Sequence, residues 1–325
     1  MIITRTPFRV SFVGGGSDAS WFYRGYGPGA VLSAAINRYM YITIHPYFQS
    51  NKIRLKYSKV EDVNHVSEIE HPIIRTCLER FNIKGGIEIA SLADIPAGTG
   101  LGSSSTFTVG LLHALYAYEG RQVSHEQLAQ EACEIEIDIL KKPIGKQDQY
   151  AAAYGGVRTY TFNADESVSV QPVMLSQESR SLMEDNLALY YLDQTRNADT
   201  VLKDQNSDDN REKKADTLRK MVDQVGALKQ ELESGNVGAL GRALDAGWQM
   251  KKTLSSKIGD KPMDDLYKKA MNTGATGGKI LGAGGGGFML FYAGNQTELS
   301  KSLERKSVPF KVDNEGSKVI FYEQQ

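Results

Sequence analysis

Cysteine is scarce in this chain: Cys77 and Cys133 are the only two in 325 residues, and they lack metal-ligand spacing. That excludes a disulfide framework and argues against zinc, so both read as free buried thiols in a reducing compartment. No apolar run reaches the roughly 18 residues of a membrane span, and the first thirteen residues lack a signal-peptide layout. The expectation is a cytoplasmic chain with no membrane partner. Charge of one sign is missing too. With 38 Lys and Arg against 39 Asp and Glu, the formal net charge of -1 gives no general attraction for nucleic acid. Any anion site must therefore be local. Neither a repeat period nor a disordered composition is visible, and 41% hydrophobic with 24% charged residues is ordinary for a globular protein. The length allows two domains, expected at 1–175 and 176–325.

Glycine, by contrast, is plentiful: many of the 32 gather around Gly14, Gly100 and Gly285. The central cluster is Pro96-Ala97-Gly98-Thr99-Gly100-Leu101-Gly102-Ser103-Ser104-Ser105-Thr106. Before it, residues 87–92 alternate as a strand does, and after it Phe107, Leu111 and Leu115 have helical spacing. Glycines let a backbone approach a ligand closely, and hydroxyls in a first helical turn lie where free N–H groups and the helix dipole favour an anion. The stretch therefore reads as a phosphate cradle formed by Pro96, Gly98, Gly100, Leu101, Gly102, Ser103, Ser104 and Ser105. Its hydroxyls could also ligate Mg²⁺. It is neither a Walker A loop nor a dinucleotide GxGxxG. The plainer alternative is a tight turn with serine N-caps.

Residues 2–13 read as a strand carrying Arg9 into a turn, Gly14-Gly15-Gly16-Ser17-Asp18. Further strands are expected at 31–36, 39–47, 53–57 and 157–162, with a helix at 72–81 and an irregular segment at 163–171. The helix expected at 124–140 opens with a capping box, Ser124 and Gln127. On its wheel Glu136 falls within the apolar face. A carboxylate there must be paired or bound to a cation, so Glu136 is either in a buried ion pair with a core arginine or a metal ligand. Lys146-Gln147-Asp148-Gln149 is a polar patch running into small residues and should face a cleft. The second half is expected to hold a strand at 187–192 and helices at 198–233, with a break, 237–254 and 263–273. After the glycine-rich run come a strand at 288–292, a helix from Thr297 and strands near 308–312 and 319–322. The Lys-Lys pairs at 213, 251 and 268 are expected on solvated helix faces.

Three motifs thus stand in chain order: Pro7-Phe8-Arg9-Val10-Ser11-Phe12-Val13-Gly14-Gly15-Gly16-Ser17-Asp18, the central loop, and the segment from Lys279 to Phe288. With Gly145-Lys146-Gln147-Asp148-Gln149 they resemble the GHMP kinases over essentially the whole chain. The resemblance implies an α+β GHMP kinase fold. Its N-terminal domain would be like domain 2 of ribosomal protein S5, its C-terminal domain ferredoxin-like, and its active site would lie in the cleft between them. It implies ATP and Mg²⁺ as cofactors and a small-molecule sugar or sugar phosphate as partner. Asp148 and Arg9 match catalytic positions, Ser104 and Glu136 match Mg²⁺ ligands, and Asp18 matches a sugar-hydroxyl contact beside Gly15, Gly16 and Ser17. Gly285 of the third motif joins the substrate set. Such a set suits phosphoryl transfer to an alcohol, which needs positioning and charge neutralisation more than covalent help.

In galactokinases the first motif reads Gly-Glu-His before Thr-Asp, whereas here it is Gly14-Gly15-Gly16 before Ser17-Asp18. The segments are most similar to those of the D-glycero-D-manno-heptose 7-phosphate kinases, which implies phosphorylation of an anomeric hydroxyl. L-fucokinases share similar segments, so a free-sugar 1-kinase is the alternative, and a non-catalytic sugar or nucleotide sensor is a third reading. A phosphorylated acceptor would need a cation away from the catalytic pair. Arg196 is the candidate, with Lys251 and Lys252 as further ones unless they are merely solvated.

Overall fold

The computed structural model describes residues 1–193, 198–207 and 209–323. Strand β1 (Ile2–Val13) leads through the turn and helix α1 (Ser20–Gly25) into β2 (Gly29–Pro46), then β3 (Ile53–Lys56) and β4 (Val60–Val63). Helix α2 (Pro72–Arg80) precedes β5 (Ile87–Ala93), which feeds the glycine loop and α3 (Ser103–Tyr118). Helix α4 (His125–Cys133) continues as a π-helical turn (Glu134–Ile139), and α5 (Gln147–Tyr154), β6 (Val157–Phe162) and β7 (Val168–Pro172) follow. The rest comprises α6 (Gln177–Asn186), β8 (Leu187–Tyr191), α7 (Ala198–Gln205), α8 (Arg211–Glu233), α9 (Ala239–Lys252) and α10 (Lys261–Asn272). After these come β9 (Ala275–Ile280), β10 (Phe288–Ala293), α11 (Gln296–Leu303), β11 (Ser307–Pro309) and β12 (Lys318–Tyr322).

Two sheets organise these elements. The first runs β12-β1-β2-β5-β3-β4, with β6 attached to β2 and β7 to β6, and the second is antiparallel, β11-β8-β10-β9. The two strands expected at 31–36 and 39–47 are one strand, β2. It pairs with β6 over its first half and with β5 over its second, and β1 spans both with a register shift at Pro7/Phe8. Proline has no N–H for the ladder, so a bulge there is cheap. Opposite it, the apparent break at Asn37 is filled by hydrogen bonds between Asn37 and Lys311. The segment expected to be irregular contains β7, which pairs with β6 from Arg158↔Pro172 to Phe162↔Val168.

Division at residue 175 would place β12 with the second half, but Ile2↔Tyr322 and Arg5↔Lys318 pairing puts it in the first sheet. Met1 donates from its amino group to Glu323 O at 2.9 Å, tying the two ends of the described chain. Helices α8 and α9 link two apolar cores. Val225, Leu228, Leu232, Leu240 and Leu244 belong to the core of the first sheet, while Leu218, Met221 and Trp248 belong to that of the second. No described helix is long and apolar enough to cross a membrane.

Candidate active site

Between the two cores lies a cavity of about 350 Å³ whose walls come from all three glycine clusters. Arg9, near the middle of β1, and Asp148, in the first turn of α5, meet there. Arg9 Nε donates to Asp148 Oδ1 at 2.8 Å and Nη2 to Oδ2 at 2.7 Å, a two-point contact between residues 139 apart in sequence. The third guanidinium nitrogen, Nη1, donates to Gly100 O at 2.6 Å, which couples the pair to the glycine loop. Arg9 is 3% exposed and Asp148 23%, so the arginine is a buried clamp and the carboxylate keeps an open side.

The glycine loop is held by its neighbours. Gly98, Gly100 and Gly102 all have positive φ, and a Cβ on Gly100 would sit 2.5 Å from Leu281 O of the third cluster. The loop and the third cluster are thus packed backbone to backbone, and Gly285 lines the same cavity. Gly102 is the N-cap of α3, and Ser103, Ser104 and Ser105 of the first turn line the cavity. Leu101 points its side chain into the core, where it is fully buried, and offers a ligand only its backbone. Pro96 is exposed and off the cavity wall; its carbonyl accepts from Thr99 Oγ1 at 2.9 Å.

Asp18 is buried at the cavity wall, with Oδ1 accepting from Gly16 N and Oδ2 from Gln147 N, both at 3.2 Å. Burial first, then the charge of Asp148, pushes its carboxyl above the usual range. Gly145 makes room for it, since a Cβ there would lie 2.0 Å from Asp18 Oδ2. Gly15 and Gly16 line the cavity beside Asp18. Ser17, expected among the substrate contacts, faces the other way. Its hydroxyl is wholly buried and bonds to Gly14 O at 2.8 Å and Ala30 O at 2.9 Å, so it closes the turn. Arg196 lies outside the described residues.

Glu136 is 0% exposed, and Ser104 Oγ donates to its Oε1 at 2.6 Å. Gln149 Nε2 donates to Oε2 at 2.9 Å. The partner cation is Lys142, not an arginine: Nζ donates to Glu136 Oε1 at 2.9 Å and to Ser104 Oγ at 2.6 Å. The π-helical turn causes this. It ends with Lys142 N donating to Glu136 O at 2.9 Å, which folds Lys142 back over the carboxylate. The turn also shifts the wheel: on a regular helix Ile139, three residues after Glu136, shares its apolar face, yet it is 48% exposed. Ser124 does cap α4, accepting from Gln127 N at 3.1 Å, but Gln127 reaches Tyr116 and Glu131 instead of completing the box. No described group of three or more His, Cys, Asp or Glu could hold a metal as an all-protein cage. Ser104 and Glu136, the two oxygens on which Lys142 now sits, are hard donors of the kind Mg²⁺ takes when one or two protein ligands and substrate phosphates complete its shell.

Ser11 and Lys142 escaped the sequence reading of the cleft, and Lys251 was there only a further candidate cation. Ser11 lines the cavity from β1. Lys251 is only 6% exposed, where a solvated face was expected; Lys252 turns outward to Asp264 at 3.3 Å. A signal was present: Leu240, Leu244, Gly247, Trp248 and Lys251 follow helical spacing, so this lysine lies on the buried stripe of α9.

Comparison with known proteins agrees with this geometry. The N-terminal domain profile of the GHMP kinases matches residues 64–156, and the C-terminal one matches residues 228–307. D-glycero-alpha-D-manno-heptose 7-phosphate kinase of Campylobacter jejuni is 29% identical, over 90% of this chain and 89% of the relative. The bifunctional fucokinase/GDP-fucose pyrophosphorylase of Arabidopsis thaliana is 25% identical over 92% of this chain but 30% of that longer protein. A crystal structure of a D-glycero-D-manno-heptose 1-phosphate kinase from Bacteriodes thetaiotaomicron superposes with a TM-score of 0.80 at 25% identity, each chain covered in full. Sequence and structure thus agree from end to end: this chain belongs to the GHMP kinase family and is an ATP-dependent sugar kinase.

Proposed function

We propose that the acceptor is D-glycero-D-manno-heptose 7-phosphate and that its anomeric hydroxyl is phosphorylated. The observation that carries this reading is the floor of the acceptor side. There Gly15 and Gly16 lie beside Asp18, and a Cβ on Gly15 would meet nothing closer than Ser11 Oγ at 4.0 Å. Where galactokinases resemble this turn but carry glutamate and histidine side chains, this chain leaves open space, which suits a longer sugar. The end-to-end relatives named for heptose phosphates support the same class.

In this reading Asp148 orients the acceptor hydroxyl and takes its proton as the oxygen attacks the terminal phosphorus of ATP, and ADP leaves. Arg9 holds that carboxylate at two points and offers positive charge to the transferring group. Asp18, with its carboxyl pushed up, fixes a second sugar hydroxyl. Free N–H groups of the glycine loop and the first turn of α3 face the nucleotide phosphates. Ser104 and Glu136 would hold Mg²⁺, which neutralises phosphate charge when bound. Glu136→Gln is then expected to raise the Mg²⁺ concentration for half-maximal rate about tenfold, with sugar affinity little changed. A Mg²⁺ titration of the variant that overlays wild type would remove Glu136 from that role.

A coupled ADP-release assay over heptose 7-phosphate, unphosphorylated heptose, L-fucose, galactose and mannose tests the acceptor. The expected result is a kcat/KM for heptose 7-phosphate at least about thirtyfold above any free sugar, the effect of about 2 kcal/mol of charge-assisted bonding. Equal constants for heptose 7-phosphate and L-fucose would instead make the chain a free-sugar 1-kinase.

A further inference from the structure

Among the described residues Lys251 is a cleft cation that the proposed mechanism leaves unused and that, unlike Lys142 beside Glu136, is paired with no carboxylate. It reaches the cavity from the last turn of α9, in the second half of the chain, opposite Arg9 and Asp148. Its Nζ donates to Gly282 O, and among the described residues no other hydrogen bond or ion pair is made by this ammonium. An ammonium has three donors, so two remain open in a group that is almost wholly buried. Burying a cation without a counter-ion is unfavourable, which marks the site as shaped for an anion supplied from outside.

Position says which anion. Gly282 is packed against the phosphate loop, where a Cβ on it would lie 2.6 Å from Gly100 Cα. Gly100 O in turn holds Arg9. Lys251 therefore stands at the junction of the phosphate loop, the catalytic pair and Asp18. The charged groups around it are Arg9 from β1, Asp18 from the turn, Asp148 from α5 and Lys279 from β9. Lys279 is also buried but donates to Phe12 O at 3.1 Å and is absent from the cavity wall. Arg9 is engaged by Asp148 and Lys142 by Glu136, so among the described cleft cations Lys251 is the one free to meet a phosphate there.

We propose that Lys251 is a catalytic residue of the transfer step, its ammonium holding an oxygen of the terminal phosphate of ATP while that group passes to the acceptor. The bond formed is between the acceptor oxygen and phosphorus, the bond broken is from phosphorus to the ADP oxygen, and Lys251 keeps its proton throughout. The inference rests on the ATP-dependent reaction and is independent of which sugar accepts. Burial first, then Arg9, lowers the Lys251 pKa to about 8, partly offset by Asp18 and Asp148. A phosphate beside it favours the charged form, so binding draws in a proton at and above pH 8.

Calorimetry on the full chain tests this, with the imido analogue of ATP and with ADP, each with Mg²⁺, in two buffers of different ionisation enthalpy. Lys251→Met is expected to weaken the analogue about tenfold. It should leave ADP within about twofold and abolish a proton uptake seen with wild type at pH 8.5. Its melting temperature should hold or rise, since methionine fills the volume without a buried charge. Lys252→Met, one residue on and facing outward, should match wild type throughout. Equal weakening of ADP and analogue, or unchanged affinity in a folded Lys251→Met, overturns the proposal. So does a loss confined to the phosphorylated acceptor, which would place the contact on the sugar.

Discussion

Asp148→Asn is expected to lower kcat by about a thousandfold, within the range for removing a general base. The amide keeps the shape of the side chain but cannot accept the proton of the acceptor hydroxyl. It also presents an N–H₂ group toward one of the two guanidinium nitrogens that now bond at 2.8 and 2.7 Å. Arg9, nearly wholly buried, would lose one of its charge-assisted bonds, so a stability loss of about 2 kcal/mol accompanies the kinetic effect. Nucleotide affinity should stay within about twofold, because the phosphates meet the glycine loop and the first turn of α3 rather than this carboxylate. Single-turnover kinetics, nucleotide calorimetry and thermal melting of the same preparation separate the three effects. A variant that keeps a tenth of the wild-type rate would take Asp148 out of the catalytic role.

The second large effect is expected at Gly100. Gly100→Val should weaken ATP at least about tenfold and destabilise the chain by more than the 1–2 kcal/mol of a left-handed residue alone. The cause is the contact behind the loop. A Cβ would lie 2.5 Å from Leu281 O and 2.9 Å from Leu281 C, backbone that cannot rotate away. The loop must move toward the cavity, and the carbonyl that Arg9 holds moves with it. Gly98 supplies the comparison: its φ is +78°, close to the +85° of Gly100, yet a Cβ there meets nothing within 4 Å. Gly98→Ala should therefore show only the conformational cost, about 1 kcal/mol, with ATP affinity nearly kept. Calorimetry that finds ATP affinity unchanged in a folded Gly100→Val would reduce the loop to a turn.

Local rules made much of this protein legible in the sequence. Alternation marked β1 and β5, helical spacing marked α3, and the order of glycines and hydroxyls marked the loop at residues 96–105. The wheel that placed Glu136 among apolar residues found a carboxylate that is wholly buried, because helical phase is a local property. It failed three residues later, at Ile139, the last residue of the π-helical turn that changes the phase.

Tertiary structure decided most of the rest, because those features depend on partners distant along the chain, and one irregular turn decided another feature. Arg9 and Asp148 became a two-point pair only when β1 and α5 packed together. Lys142 became the counter-ion of Glu136 through a backbone bond back across the π-helical turn, which no regular period anticipates. Lys251 changed from a helix-surface lysine to a cleft cation because α9 packs against both cores and buries the stripe that carries it. Likewise β12 joined the first sheet, because pairing with β1 covers the edge that β2 leaves open. A sequence period records which face of an element is apolar; which charged group is then enclosed with which other is settled by the packing of whole elements.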